Sequence, residues 1–147
     1  MDGDRAEEPG RNLKALNKGA LNTGDNNRNL RREKMAYYAF ANPVLPGKVD
    51  TWKSYVKEMN GPRNKERIES RKRVGLTVER VWLQHTPMGD FAVVYWEAKD
   101  IGKVFEGLMK SDAPFDRWFR DKILVEVHGM DISKPPPMNE SVLDFRV

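Results

Sequence analysis

Phe91-Ala92-Val93-Val94-Tyr95-Trp96 is apolar at odd and even positions alike, and turn-forming residues bound it on both sides. Its shortness and its β-branched and aromatic side chains make it a strand. A strand sends successive side chains to opposite faces, so one wetted on a single side alternates apolar with polar residues. This one does not, and both faces of its sheet therefore require cover. The rest of the chain supplies helices for one side. The other side calls for a second copy of the chain.

Upstream, Leu76 to Thr86 reads as a strand carrying Glu79, Arg80, Gln84 and His85, and Pro87-Met88-Gly89-Asp90 turns it into the apolar run as a hairpin. Downstream, Ile101, Val104, Phe105, Leu108 and Met109 keep helical spacing up to a break at Ser111-Asp112-Ala113-Pro114. Phe115, Trp118, Phe119, Ile123 and Val127 then form a second helical stripe that ends at Gly129. Ile123 to Val127 has strand propensity too, but the four-residue step from Phe115 through Phe119 to Ile123 favours helix.

Towards the N-terminus, Met35 to Ala41 is a first strand, ended by Asn42-Pro43 and Pro46-Gly47. Val49, Trp52, Val56 and Met59 make the apolar stripe of a helix, Gly61-Pro62 interrupts it, and an exposed helical continuation reaches Arg73 before Gly75. Pro135-Pro136-Pro137 is a stiff spacer, after which Ser141 to Val147 reads as a last, polar strand. Residues 1–34 hold too few large apolar side chains to offset the entropy of ordering, and are expected to be a disordered tail. Met35 is a candidate start residue, an expectation that N-terminal sequencing of the native protein tests.

The element order is strand, helix, strand, strand, helix, strand. It predicts an α+β domain over residues 35–147 on the ferredoxin-like βαββαβ plan, with a four-stranded, antiparallel-type sheet. Strands one and three fall at its centre and strands two and four at its edges, where their charges discourage edge pairing.

Composition narrows the function classes. The chain has no cysteine, which removes disulfides, thiolate metal sites and cysteine nucleophiles and fits the cytoplasm. Its net charge is +4, but 22 acidic residues lie interspersed with 26 basic ones, so the field is not that of a dedicated polyanion binder. No apolar stretch approaches the roughly 20 residues that span a bilayer, so no membrane partner is expected.

The blocks Ala36-Tyr37-Tyr38-Ala39-Phe40, Val81-Trp82-Leu83-Gln84-His85-Thr86-Pro87, the apolar strand with Glu97-Ala98-Lys99-Asp100 after it, and Pro114-Phe115-Asp116-Arg117-Trp118-Phe119 carry a resemblance. From about Met35 to Val147 the chain resembles the dimeric α+β barrel superfamily, which includes the antibiotic-biosynthesis monooxygenase-like domains. The last two blocks look like a bacterial branch of it with no known activity. The resemblance implies two sheets packed face to face across a two-fold axis, with a pocket between sheet and helices in each protomer. Members include cofactor-free oxygenases, haem-degrading enzymes and isomerases, so the fold leaves the activity open. The Asn, Trp and His of the haem-degrading members do not carry over, because Asn42 falls at a strand end just before Pro43.

Among chemistry-bearing residues, His85 is the candidate catalytic base, set against its reading as a half-exposed strand histidine. His128 suits a helix C-terminus whatever its function. Arg80, Gln84, Tyr95 and Glu97 are expected on one sheet face, where Arg80 and Glu97 also suit a structural cross-strand pair. Tyr37, Tyr38, Trp82 and Trp96 suit a cavity for a flat apolar ligand or, equally, the core. The candidate ligand-binding set is Tyr38, Arg80, Trp82, Tyr95 and Trp96. The basic stretch Arg63, Lys65, Arg67, Arg71, Lys72 and Arg73 is either a phosphate site or a solvated helix face laced with Glu66 and Glu69. No His-x-x-x-His or Glu-x-x-His pair offers a metal site, and no Gly-x-Ser-x-Gly offers a nucleophile elbow.

The expected function is small-molecule binding, with cofactor-independent oxygenase or isomerase-type chemistry on an apolar substrate and the homodimer as partner. The alternative is a non-catalytic interaction or scaffold homodimer. An RNA-recognition module is a third reading: Gly89 to Trp96 matches its base-stacking octamer at Phe91, Ala92, Val94 and Trp96. It departs at Gly89, Asp90 and Val93, which disfavours nucleic acid.

Overall fold

The strand Gly89–Ala98 (β3) is the centre of the molecule, and its alternation separates a helix-covered face from a bare one. In the computed structural model, which describes residues 35–147, Ala92, Val94, Trp96 and Ala98 are buried under helices. Phe91, Val93, Tyr95 and Glu97 point the other way and are half-buried. The chain is α+β: Ala36–Val44 (β1), helices Val49–Asn60 (α1) and Asn64–Val74 (α2), Leu76–Thr86 (β2), β3, and helices Ile101–Lys110 (α3) and Pro114–Phe119 (α4). A π-helical run, Arg120–Val127, continues α4. β3 pairs antiparallel with both neighbours, giving the order β1-β3-β2, with Trp96 opposite Tyr38 on one side and Glu79 on the other.

Two apolar clusters sit on the helical face. One joins Tyr38, Val94 and Trp96 to Ile101, Val104, Phe105 and Leu108 of α3. The other joins Val44 and Ala92 to Trp52 of α1 and to Phe115, Phe119, Ile123 and Val127. α1, α3 and α4 with the π-helical run thus turn inward the stripes their spacing predicts, whereas α2, expected to be exposed, buries Ser70, Arg71 and Val74. Local chemistry ends the helices where the sequence indicates. Gly75 takes a left-handed φ of 79° after α2, which a side chain would resist, and its N–H reaches the carbonyls of Arg71 and Lys72. Asp100 caps α3 by accepting from the Lys103 N–H at 3.1 Å, and Pro114 opens α4. The β2–β3 hairpin forms about Pro87 and Met88.

The sheet corrects one expectation. Ser141 to Val147 forms no strand, so the sheet has three strands among the described residues, and β1 lies at an edge rather than at the centre. The reason lies in a single amide. The Asn139 side chain accepts from the Ala39 N–H at 2.8 Å and donates to the Ala39 carbonyl at 2.7 Å, so it takes the place of a strand partner. Beyond it Val142, Leu143 and Phe145 are exposed and bury nothing that would hold a ladder in place. The N-terminal tail expected over residues 1–34 lies outside the described residues.

Candidate functional site

Between the helical face of the sheet and α1, α2 and the π-helical run lies a cavity of about 270 Å³. Its walls are chiefly apolar, from Trp52, Val56 and Met59 of α1, Val94 and Trp96 of β3, and Phe105 of α3. Val81 also lines it. Its register puts it on the helical face opposite Val94, yet it is 46% exposed, so the helix layer stops short of β2 there and leaves the cavity's mouth.

Polar groups enter from two directions. Arg67 and Arg71 of α2 line the cavity, and with Arg63, the residue that precedes α2, they recur every four residues and so share one side. Arg71 is buried and grips Glu79 of β2 with two parallel hydrogen bonds, Nε to Oε1 at 3.0 Å and Nη2 to Oε2 at 3.1 Å. The Trp96 indole N–H donates to the same Oε2 at 3.2 Å, and the Arg71 guanidinium lies 4.5 Å from the centroid of the Phe119 ring. The nearby Asp116 carboxylate, also buried, accepts from Ser70 and from Arg73 at 2.6 Å, fastening α4 to α2. Burial pushes the Asp116 carboxyl up, but hydrogen bonds from Ser111, Ser70 and Arg73 outweigh it and hold it below the usual range.

The second polar group is His128, at the end of the π-helical run. Its N–H reaches back five residues to the Ile123 carbonyl at 3.2 Å, one residue further than an α-helix would. The ring is buried, packs edge-on to Trp52 and lines the cavity. Nδ1 lies 2.9 Å from the Pro43 carbonyl oxygen. A carbonyl only accepts, so Nδ1 carries a proton and, in the neutral ring, Nε2 is a lone pair. Burial pushes the imidazole pKa down, against the smaller opposing effect of the Pro43 bond, so the neutral form prevails. Among the described residues Nε2 has no hydrogen-bond partner.

The residues singled out from sequence divide between four places. Trp96 lines the cavity. Tyr38 is buried on the same face, among Phe40, Trp96 and Phe105, and donates to the Pro137 carbonyl, outside the cavity wall. Arg80, Trp82 and Tyr95 lie on the bare face, where the register sets Arg80 opposite Tyr95 and Trp82 opposite Val93. Glu97 shares that face but accepts from the Tyr95 hydroxyl at 2.7 Å rather than pairing with Arg80. Burial, helped by Glu97, pushes that hydroxyl up to about 12. His85, the expected base, sits at the far end of β2 with its side chain 70% exposed, paired with Asp90 at 2.5 Å and off the cavity wall.

Sequence reasoning weighed His128 as a helix end and Arg67 and Arg71 as a phosphate site or solvated face, named Glu79 as an edge-strand charge, and placed none of the four on an apolar cavity. Only the four-residue spacing of the arginines signalled that part of the basic stretch faces inward. Among the described residues no group of three His, Asp or Glu is placed to hold a metal ion. No family model, curated protein or solved structure matches the chain.

Proposed function

We propose that the protein binds a small, largely apolar molecule in the cavity and that His128 takes a proton from it, an isomerase-type chemistry needing no cofactor. The observation that carries this reading is the locked tautomer of His128. A neutral imidazole with Nδ1 committed to Pro43 offers Nε2 as a base within an apolar, partly closed space, where little water competes for the proton. An oxygenase of the cofactor-free kind would begin with the same abstraction.

Native mass spectrometry of freshly purified protein is expected to retain a bound compound. In D2O that compound, re-added, exchanges a carbon-bound hydrogen with wild type and not with His128→Gln. Protein that carries nothing, and whose tryptophan fluorescence no small aromatic probe alters, would overturn the proposal.

We also propose that two copies pair through the bare sheet face as a dimeric α+β barrel, the C-terminal segment lying where the fourth strand of the ferredoxin-like plan belongs. Support comes from that face itself, on which Tyr37 and Trp82 are 46% and 53% exposed beside Val93 and Phe91. The same patch favours the second reading, a scaffold homodimer without catalysis. A cysteine-free chain fits a cytoplasmic setting. No described helix is long and apolar enough to cross a membrane.

A further inference from the structure

The three arginines on this side of α2, of which Arg67 and Arg71 line the cavity, are not equivalent. Arg63 has carboxylate partners in Glu58, at 2.7 Å, and Glu66, at 3.8 Å. Arg71 has Glu79. Arg67, one turn from each, has no ion-pair partner among the described residues. Its Nη2 donates to the neutral Asn64 side chain at 2.8 Å, while its Nε is shut off from solvent and has no acceptor at all. An N–H on a cation that has lost water and gained nothing is costly, and each such group in a folded protein calls for an explanation.

Arg67 lines the cavity, and the cavity's charge is unbalanced in the same sense. Arg71 and Glu79 cancel, His128 is held neutral by burial, and Arg67 is left as one uncompensated positive charge. Apart from the neutral amides of Asn42 and Asn60, the rest of the wall is mainly hydrocarbon and aromatic ring, from Trp52, Val56, Met59, Val94 and Phe105 among others. From this set we infer that the ligand is an apolar monocarboxylic acid whose carboxylate pairs with the cavity-facing end of the Arg67 guanidinium while its body lies against those side chains. The single excess charge selects a monoanion, since a doubly charged group such as phosphate would leave one negative charge buried without a partner. The inference rests on the small-molecule reading of the cavity and adds the chemical class of the ligand.

The test is calorimetric titration of the full chain with naphthalene-2-carboxylate and with its neutral counterpart, naphthalene-2-carboxamide. Wild type is expected to bind the carboxylate about ten-fold or more tightly than the carboxamide. Arg67→Gln is expected to bind the two alike, with carboxamide affinity unchanged; that affinity also reports that the variant is folded. Equal affinities in wild type would overturn the carboxylate inference and leave the cavity reading standing, and this comparison needs no variant. A preference that persists in Arg67→Gln would overturn the role of Arg67. If neither compound binds, the cavity reading fails and the inference with it.

Discussion

A histidine buried as a neutral ring leaves a mark on stability that needs no substrate to detect. In the unfolded chain His128 titrates near 6.5, and in the folded protein burial moves it lower. Between those two values the unfolded state binds more protons, so stability is complete above about 6.5 and falls as pH drops towards the folded value. Denaturant titrations from pH 7.5 to 5 are expected to show this loss in wild type and a shallower one in His128→Gln. An unchanged slope would place the ring in water instead. The Arg71–Glu79 pair makes a second mark. Glu79→Ala leaves a buried guanidinium without its carboxylate and is expected to cost roughly 3 kcal/mol in urea unfolding. Replacing both, as Arg71→Met with Glu79→Leu, is expected to cost much less than the two single changes together. Neither residue announced itself in the sequence. Glu79 stood among the charges of an edge strand, and Arg71 among basic neighbours of which Lys65 and Lys72 do face water.

The helices meet at close quarters in one place, and a single methyl group measures it. A Cβ on Gly107 of α3 would come within 2.8 Å of Val74 Cγ1 at the end of α2. Alanine gains about 1 kcal/mol over glycine in helix propensity, whereas forcing a methyl into packed side chains costs about 1–3 kcal/mol. Gly107→Ala is expected to lower the melting temperature by a few degrees, and Val74→Ala in the same chain to be much less harmful than it is alone. Most of this layer was legible because its stripes are periodic. Val49, Trp52, Val56 and Met59 face inward as spaced, and so do Phe115, Phe119, Ile123 and Val127. The π-helical step after Phe119 was not legible, since a four-residue apolar repeat fits an α-helix or a wider coil equally well. That step is where the site was lost from view, because it turns His128 from an end cap into a cavity wall. The last strand failed for a different reason. Ser141 to Val147 has strand-forming residues, but pairing depends on a neighbour with a free edge, and Asn139 already occupies that of β1 at Ala39.

For the molecule as a whole, the question is what lies on the bare face of the sheet. The apolar run that opened the sequence reading has both its faces as expected, one under helices and one carrying Phe91, Val93 and Tyr95 with no cover among the described residues. Three strands of about ten residues make a flat footprint of roughly 30 by 14 Å, about 400 Å². A stable protein interface uses roughly 800 Å² from each partner, so under the dimer proposal the sheets alone fall short. The C-terminal segment has the surface to supply the rest, since Val142, Leu143, Phe145 and Val147 are exposed. Two variants separate these contributions. Trp82→Arg sets a charge on the β2 side of the face, beside Val93, and is expected to give a monomer in sedimentation velocity at micromolar concentration. Ending the chain after Glu140 keeps Asn139 on β1 and is expected to weaken dimerisation at least about ten-fold while leaving the melting curve of the dilute protomer in place. A wild-type chain that sediments as a stable monomer would sink the proposal. A truncated chain that dimerises as well as the full one would mean that the sheets close on each other without the segment.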